Sequence, residues 1–265
     1  MIDPREGRAL FGADPETYDR ARPGHAERVY ETLVERCELG PGTSVLEVGP
    51  GTGQATRRLL DLGADPLVAI EPNEDMARYL ASSVGDRVDI RVTALEDAEL
   101  RASSFDLATA ASSFHWVDEA TGLATVFHAL RSGGWIALWW TGFGDPERPD
   151  PFRDATTALL DDMPKSPVGS HCGGRTPTEE GSARWLSSLD AAGFADVSHE
   201  RIPWSKMFDA RSIREIFSTF SPFLIVDEER RTTKLDELER IARSEFGDRV
   251  EKPIVTALYT ARKPC

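Results

Sequence analysis

Residues 45–53, Val-Leu-Glu-Val-Gly-Pro-Gly-Thr-Gly, followed by a single acid, Glu71, at the end of the next apolar run, have the makings of a nucleotide site. Gly49, Gly51 and Gly53 let the chain turn sharply and let a ligand approach bare backbone. Residues 54–62 read as a helix stopped by Gly63. The turn therefore feeds a helix N-terminus, with unbonded N–H groups and a positive dipole end. An acid about 20 residues further on can accept hydrogens from both ribose hydroxyls. The glycine spacing is G-x-G-x-G; in the dinucleotide pattern G-x-G-x-x-G the third glycine would fall on Gln54. A second acid, Glu47, lies just before the loop. A buried ionisable side chain is costly unless satisfied, so Glu47 either orders the loop or meets the ligand.

Other side chains could act on a second molecule. His115, just past the fourth strand, could take a proton or simply orient a neighbour through a hydrogen bond. Trp116 could face a cationic centre or fill core space. Arg22 could clamp a carboxylate with its guanidinium fork, or pair with Asp19 or Glu27 at the surface. Trp139 and Trp140 are adjacent on a strand and so face opposite ways; sheet–helix packing is the expectation for both. His25 and His171 are expected to be solvated loop histidines. Cys37, Cys172 and Cys265 contain no C-x-x-C pair and suggest neither a disulfide framework nor a zinc site. The five histidines show no metal-ligand spacing, so no metal is expected.

These residues need a scaffold, and the hydrophobic pattern supplies one. After a polar, irregular stretch over 1–24, residues 26–37 read as a helix with Val29, Leu33 and Val34 on one face. Strands follow near 44–49, 67–71, 88–93 and 105–111, as apolar runs of the kind a doubly covered parallel sheet produces. Helices fall near 73–83 and 119–130. Ser132-Gly133-Gly134 turns into a fifth strand, 135–141. Residues 144–181 are rich in proline and glycine around one amphipathic segment, 151–160; a loop-rich insert of this size suggests a lid or binding loop. A helix over 183–192, a sixth strand over 195–208, two helices within 211–246 with a turn at Ser221-Pro222, and a last strand over 254–261 complete the chain. The fold class expected is α/β: a Rossmann-like, seven-stranded, mainly parallel sheet with helices on both faces and a helical cap built from insertions. One domain, 1–265, is expected, with its core over about 26–143, 183–208 and 250–263. The cap would come from 1–25, 144–181 and 209–249. Ligands in such sheets sit beyond the strand C-termini at the switch point, which gathers Gly49–Gly53, Glu71, Thr93–Leu95 and Ala111–Trp116 at one crevice.

The chain of 265 residues carries a net charge of -14 and is 40% hydrophobic. Such acidity argues against a nucleic-acid surface, which needs Lys and Arg against phosphate. No apolar stretch is long enough to span a membrane, and the first residues lack signal-peptide character. A reducing cytoplasm is the compartment expected; nothing in the composition gives an oligomeric state.

The Gly loop with its preceding Glu47 resembles motif I of class I S-adenosylmethionine-dependent methyltransferases. Tyr18-Asp19-Arg20-Ala21-Arg22-Pro23 resembles the Tyr-x-x-x-Arg-Pro segment of the type 11 small-molecule group. Glu96-Asp97, His115-Trp116-Val117-Asp118, and the stretch from Phe217 to Arg262 are similar to the trans-aconitate methyltransferase-like branch. The 144–181 segment has no counterpart there. The resemblance implies S-adenosylmethionine as cofactor, leaving as S-adenosylhomocysteine, and a small-molecule methyl acceptor. It implies that Glu47 and the backbone of Gly49, Gly51 and Gly53 hold the methionine portion. Glu71 and Pro72 would bind the ribose, Met76 one face of adenine, and Ala94 and Leu95 its other edge. Ser112 would lie beside the methionine tail, with Tyr18 and Arg22 closing over its carboxylate. Two departures stand out: Ala94 replaces an Asp common in relatives, and His25 a Tyr. The aromatic segment Trp204, Phe208, Phe217, Phe220 and Phe223 would cap the acceptor pocket, with Phe217 and Phe220 joining Trp116 against the substrate.

A sulfonium methyl is already activated, so the main catalytic demand is in-line approach, worth roughly 7–11 kcal/mol of barrier. A carboxylate acceptor needs no base. A hydroxyl does, and His115 is then the candidate, worth about 10²–10⁴-fold. Oxygen is the favoured acceptor atom. Two rivals remain open at this level: a nicotinamide-dependent oxidoreductase on a Rossmann sheet, and a non-catalytic cofactor-binding module.

Overall fold

A computed structural model of the chain describes residues 14–164 and 179–265. Residues 1–13 and residues 165–178 of the loop-rich insert, with His171 and Cys172 among them, lie outside the described residues.

In chain order the elements are α1 (Pro15–Ala21), α2 (Glu27–Glu35), β1 (Thr43–Val48), α3 (Gln54–Asp61), β2 (Ala64–Ile70), α4 (Glu74–Val84), β3 (Val88–Arg91), β4 (Phe105–Ala111), α5 (Glu119–Ala129) and β5 (Leu130–Phe143). Then come α6 (Pro151–Leu160), α7 (Glu179–Ala191), β6 (Ala195–Phe208), α8 (Ala210–Ser218), α9 (Ser221–Leu224), α10 (Glu228–Glu245) and β7 (Val250–Arg262). The seven strands form one sheet in the order β3-β2-β1-β4-β5-β7-β6. β1 to β5 run parallel; β7 is antiparallel to both β5 and β6. The order reverses between β1 and β4, which puts the switch point where the Gly loop leaves β1.

Strand alternation divides the core. Val45, Leu67, Leu107, Trp135 and Trp139 face α2 and α3, meeting Val29, Leu33 and Leu59. Leu46, Val68, Ala108, Ile136 and Leu138 face α5 and α7, meeting Leu123, Val126, Trp185 and Leu189. The strands read as unbroken apolar runs because both faces are covered. A third cluster is the cap: Phe152 of α6, Ile213 and Ile216 of α8, Phe223 of α9, and Leu235 and Leu238 of α10.

Three expectations change. Residues 1–24 are not irregular throughout, since 15–21 is helical: the Asp14 carboxylate accepts from Thr17 N and Pro15 starts the helix. Ser221-Pro222 is not a turn but the start of α9, with proline again in the first turn. Ser132-Gly133-Gly134 does not precede β5 but lies in it: Gly133, at φ +79°, is part of a bulge opposite Phe105–Leu107.

Candidate active site

Beyond the C-terminal ends of β1, β2, β4 and β5 lies a cleft of about 560 Å³. Of the residues singled out in the sequence, Tyr18, Arg22, Gly49, Gly51, Glu71, Pro72, Met76, Leu95, Ser112, His115, Trp116 and Phe220 line it.

The Gly loop is held by its conformation. Gly49, Gly51 and Gly53 have φ of +65°, +58° and +87°, where side chains are strained. A Cβ on Gly49 would lie 2.5 Å from Ser113 Cβ, and one on Gly53 2.4 Å from Leu80 Cδ1. Gly51 is different: nothing lies within 4 Å of a Cβ there, so its bare backbone borders open space. Glu71 is buried, and its carboxylate accepts from Gly51 N at 3.0 Å and Asn73 N at 2.9 Å. The acid after β2 and the loop after β1 are thus one rigid unit. Asn73 caps α4 by accepting from Asp75 N and Met76 N, which sets Met76 in the wall.

After β4 the chain makes a strained turn, with Ser112 at φ +54°. The 3-10 turn Phe114–Trp116 follows and presents His115 and Trp116. Trp140 Nε1 donates to His115 Nδ1 at 3.1 Å. Indole nitrogen is a donor only, so His115 Nδ1 is unprotonated and the proton of the neutral ring sits on Nε2. Trp140 also stacks on Trp185, with centroids 4.6 Å apart, and lines the cleft. It belongs to the site and not only to sheet packing; Trp139, on the other face, is core.

Arg22 makes neither surface pair considered for it. Asp19 binds Arg57 and Glu27 binds Arg58. The Arg22 guanidinium donates from Nε to Thr219 Oγ1 at 2.8 Å and from Nη2 to Thr219 O at 3.0 Å. Its charge lies over Phe220, Tyr18 and Phe143 at 4.6, 5.2 and 5.2 Å. Gln54 Nε2 adds bonds to the Asp19 and Arg22 carbonyls.

His25 is not a solvated loop residue. It lines the cleft, its Nδ1 is buried without a hydrogen bond among the described residues, and its ring packs edge-on to Trp139 at 5.5 Å. Burial lowers its pKa to about 4, so it is neutral.

Four expected residues are not on the wall. Glu47 is buried under the loop on β1. Gly53 is spent on the start of α3. Ala94 precedes the 3-10 turn Leu95–Asp97, in which Glu96 accepts from Asp118 N at 3.0 Å. Phe217 turns inward on α8 against Phe152, Phe220 and Phe223, so it supports the wall from behind. Not expected from the sequence were Gln54, the Thr141–Phe143 end of β5 with Gly144 after it, and Arg153. The rule of ligands at strand C-termini could have found the β5 run; nothing local marks Arg153. Among the described residues no cluster of three or more His, Cys, Asp or Glu could hold a metal, and no helix is long and apolar enough to cross a membrane.

Comparison with known proteins bears on this cleft. The family described as "Methyltransferase domain" matches residues 46–138. An uncharacterized methyltransferase of Schizosaccharomyces pombe is 24% identical over 96% of both chains. One from Geobacillus thermodenitrificans is 30% identical over 54% of this chain and 70% of its own length. Among solved structures, phosphoethanolamine N-methyltransferase 2 of Haemonchus contortus, in complex with S-adenosyl-L-methionine, superposes with a TM-score of 0.60 at 15% identity. That alignment covers 96% of this chain but only 57% of the Haemonchus chain.

Proposed function

Since the chain belongs to the methyltransferase family, we propose that it transfers a methyl group from S-adenosylmethionine to a small organic molecule, with a carboxylate or hydroxyl oxygen as acceptor. The oxidoreductase reading of the Gly loop is thereby set aside. Within the family, the His115-Trp116-Val117-Asp118 corner favours the trans-aconitate methyltransferase-like branch. The observation that carries the proposal is the bond between Glu71 and Gly51 N at the cleft wall. It fixes a ribose-binding acid against a loop whose backbone opens to space.

The residues present fit the cofactor. Glu71 and Pro72 take the ribose, Met76 and Leu95 enclose the adenine, and Gly49, Gly51 and Ser112 border the methionine tail. Glu47 and Gly53 act from beneath, by shaping the loop, and Ala94 by placing Leu95. When bound, the cofactor supplies a sulfonium methyl whose bond breaks with its electron pair left on sulfur. The chain's own work is placement. Trp116 and Phe220 wall the acceptor, with Phe217 behind. Through Nε2–H, His115 would orient an acceptor oxygen; in this tautomer, with Nδ1 already accepting from Trp140, neither ring nitrogen has a lone pair to take the acceptor's proton. That suits a carboxylate, which arrives without one. The core over 26–143, 183–208 and 250–263 carries the cofactor, and the cap faces the acceptor.

Glu71→Ala is expected to weaken S-adenosylhomocysteine binding, measured by calorimetry, about tenfold or more, the worth of hydrogen bonds to a charged group. Unchanged affinity removes the site assignment. Labelled methyl transfer into a metabolite extract then separates an enzyme from a passive cofactor-binding module. Label released as methanol by mild base marks an ester.

A further inference from the structure

The cleft is not electrically uniform. Among the described residues its wall carries three charged side chains: Glu71 beyond β2, and Arg22 and Arg153. Strands β2, β1, β4 and β5 are neighbours in that order. At about 4.8 Å per step, the end of β5 lies about 14 Å from the end of β2. The cofactor proposed above takes the β2–β1–β4 span, which leaves the β5 end for the acceptor.

Arg153 lies at that end. A Cβ placed on Gly144, the residue after β5, would be 3.9 Å from Arg153 Nη1. Its backbone is pinned. Asp150 accepts from Arg153 N at 3.0 Å, and the same carboxylate forms a buried ion pair with Lys252 of β7. The preceding Phe152 is 1% exposed in the cap core. The guanidinium, by contrast, makes no ion pair and no hydrogen bond among the described residues, in a chain with 45 acids to 31 Lys and Arg. Arg22, the other cation on this wall, is engaged with Thr219 and three aromatic faces. A rigidly mounted fork at the mouth of an aromatic cleft is a receptor for a planar or tetrahedral anion.

We propose that Arg153 selects acceptors that carry an anionic group, carboxylate or phosphate, which pairs with its guanidinium while the body of the acceptor lies against Phe143 and Phe220. The assignment rests on the methyl-transfer reading above. It concerns a segment, 144–181, for which the family resemblance supplied no role.

The test uses the full chain, labelled S-adenosylmethionine and a metabolite extract split by anion exchange. Label is expected in the retained fraction. Arg153→Gln should raise the KM for that fraction about tenfold, and Arg153→Glu further, with kcat nearly held and S-adenosylhomocysteine affinity unchanged; Arg153→Lys should recover part of the loss. Prior phosphatase treatment of the fraction abolishes labelling if the anion is a phosphate and spares it if a carboxylate. Label confined to the unretained fraction, or Arg153→Glu labelling as well as the unaltered chain, overturns the assignment. Cofactor binding without any labelled anion overturns it alone. Loss of cofactor binding in the unaltered chain overturns the methyl-transfer reading as well.

Discussion

Glu47 is the residue whose placement costs most. It is 1% exposed, and neither carboxylate oxygen has a hydrogen-bond partner among the described residues. Burial raises its pKa from 4.5 to about 7; the Glu71 charge adds to the rise. The Thr56 hydroxyl and Arg57 oppose it, the hydroxyl without a bond of normal geometry. The unfolded chain releases this proton near pH 4.5, the folded one near pH 7, so the native state binds more protons between them. Stability from this group is complete below pH 4.5 and is lost as the pH rises through about 7, by about 3 kcal/mol. Urea unfolding of the unliganded protein at pH 4.5 and 8 should show Glu47→Gln losing less stability with pH than the parent. Equal losses would mean that Glu47 stays ionised. The cost of an acid inside a strand could be read from sequence, as could Gly49, Gly51 and Glu71, because each answers a local demand of backbone or strand end. His25 and Arg153 could not. Their surroundings come from α2 and β5 in one case and from α6, β7 and the cap in the other, and no local spacing encodes those encounters.

At the scale of the element, the parallel half was legible because every strand there is a short apolar run between a turn and an amphipathic helix. Boundaries slipped where a local signal had two meanings. Ser132-Gly133-Gly134 serves a bulge as readily as a turn, and Asp14-Pro15 and Ser221-Pro222 open helices as readily as loops. Helix α6 shows how much one cap can carry. Asp150 accepts from Arg153 N and pairs with buried Lys252, whose ammonium burial already disfavours. Asp227 caps α10 through Arg230 N in the same way but at the surface. Asp227→Ala should cost about 1 kcal/mol, an ordinary cap. Asp150→Ala should cost about 3–5 kcal/mol, because it strands Lys252 without its partner. Denaturant midpoints of the two variants decide it; equal costs would show that the Lys252 pair adds nothing.

Across the whole molecule, the core and cap are joined over the cleft by α1. Its neighbours are α4 on the core side and α8 on the cap side, and just past its end Arg22 grips Thr219. Neither contact was legible, because residues 1–24 read as polar and irregular, with no helical face to dock. Thr219→Val keeps the shape of this buried residue and removes the Oγ1 acceptor. Stopped-flow displacement should show S-adenosylhomocysteine leaving about tenfold faster, the worth of a hydrogen bond to a charged group. An unchanged rate would mean that the cleft empties without releasing α1. On the faster release expected, the Arg22–Thr219 contact acquires a meaning in time: a latch of one guanidinium and one hydroxyl would set how long a spent cofactor lingers and how soon the next cycle begins.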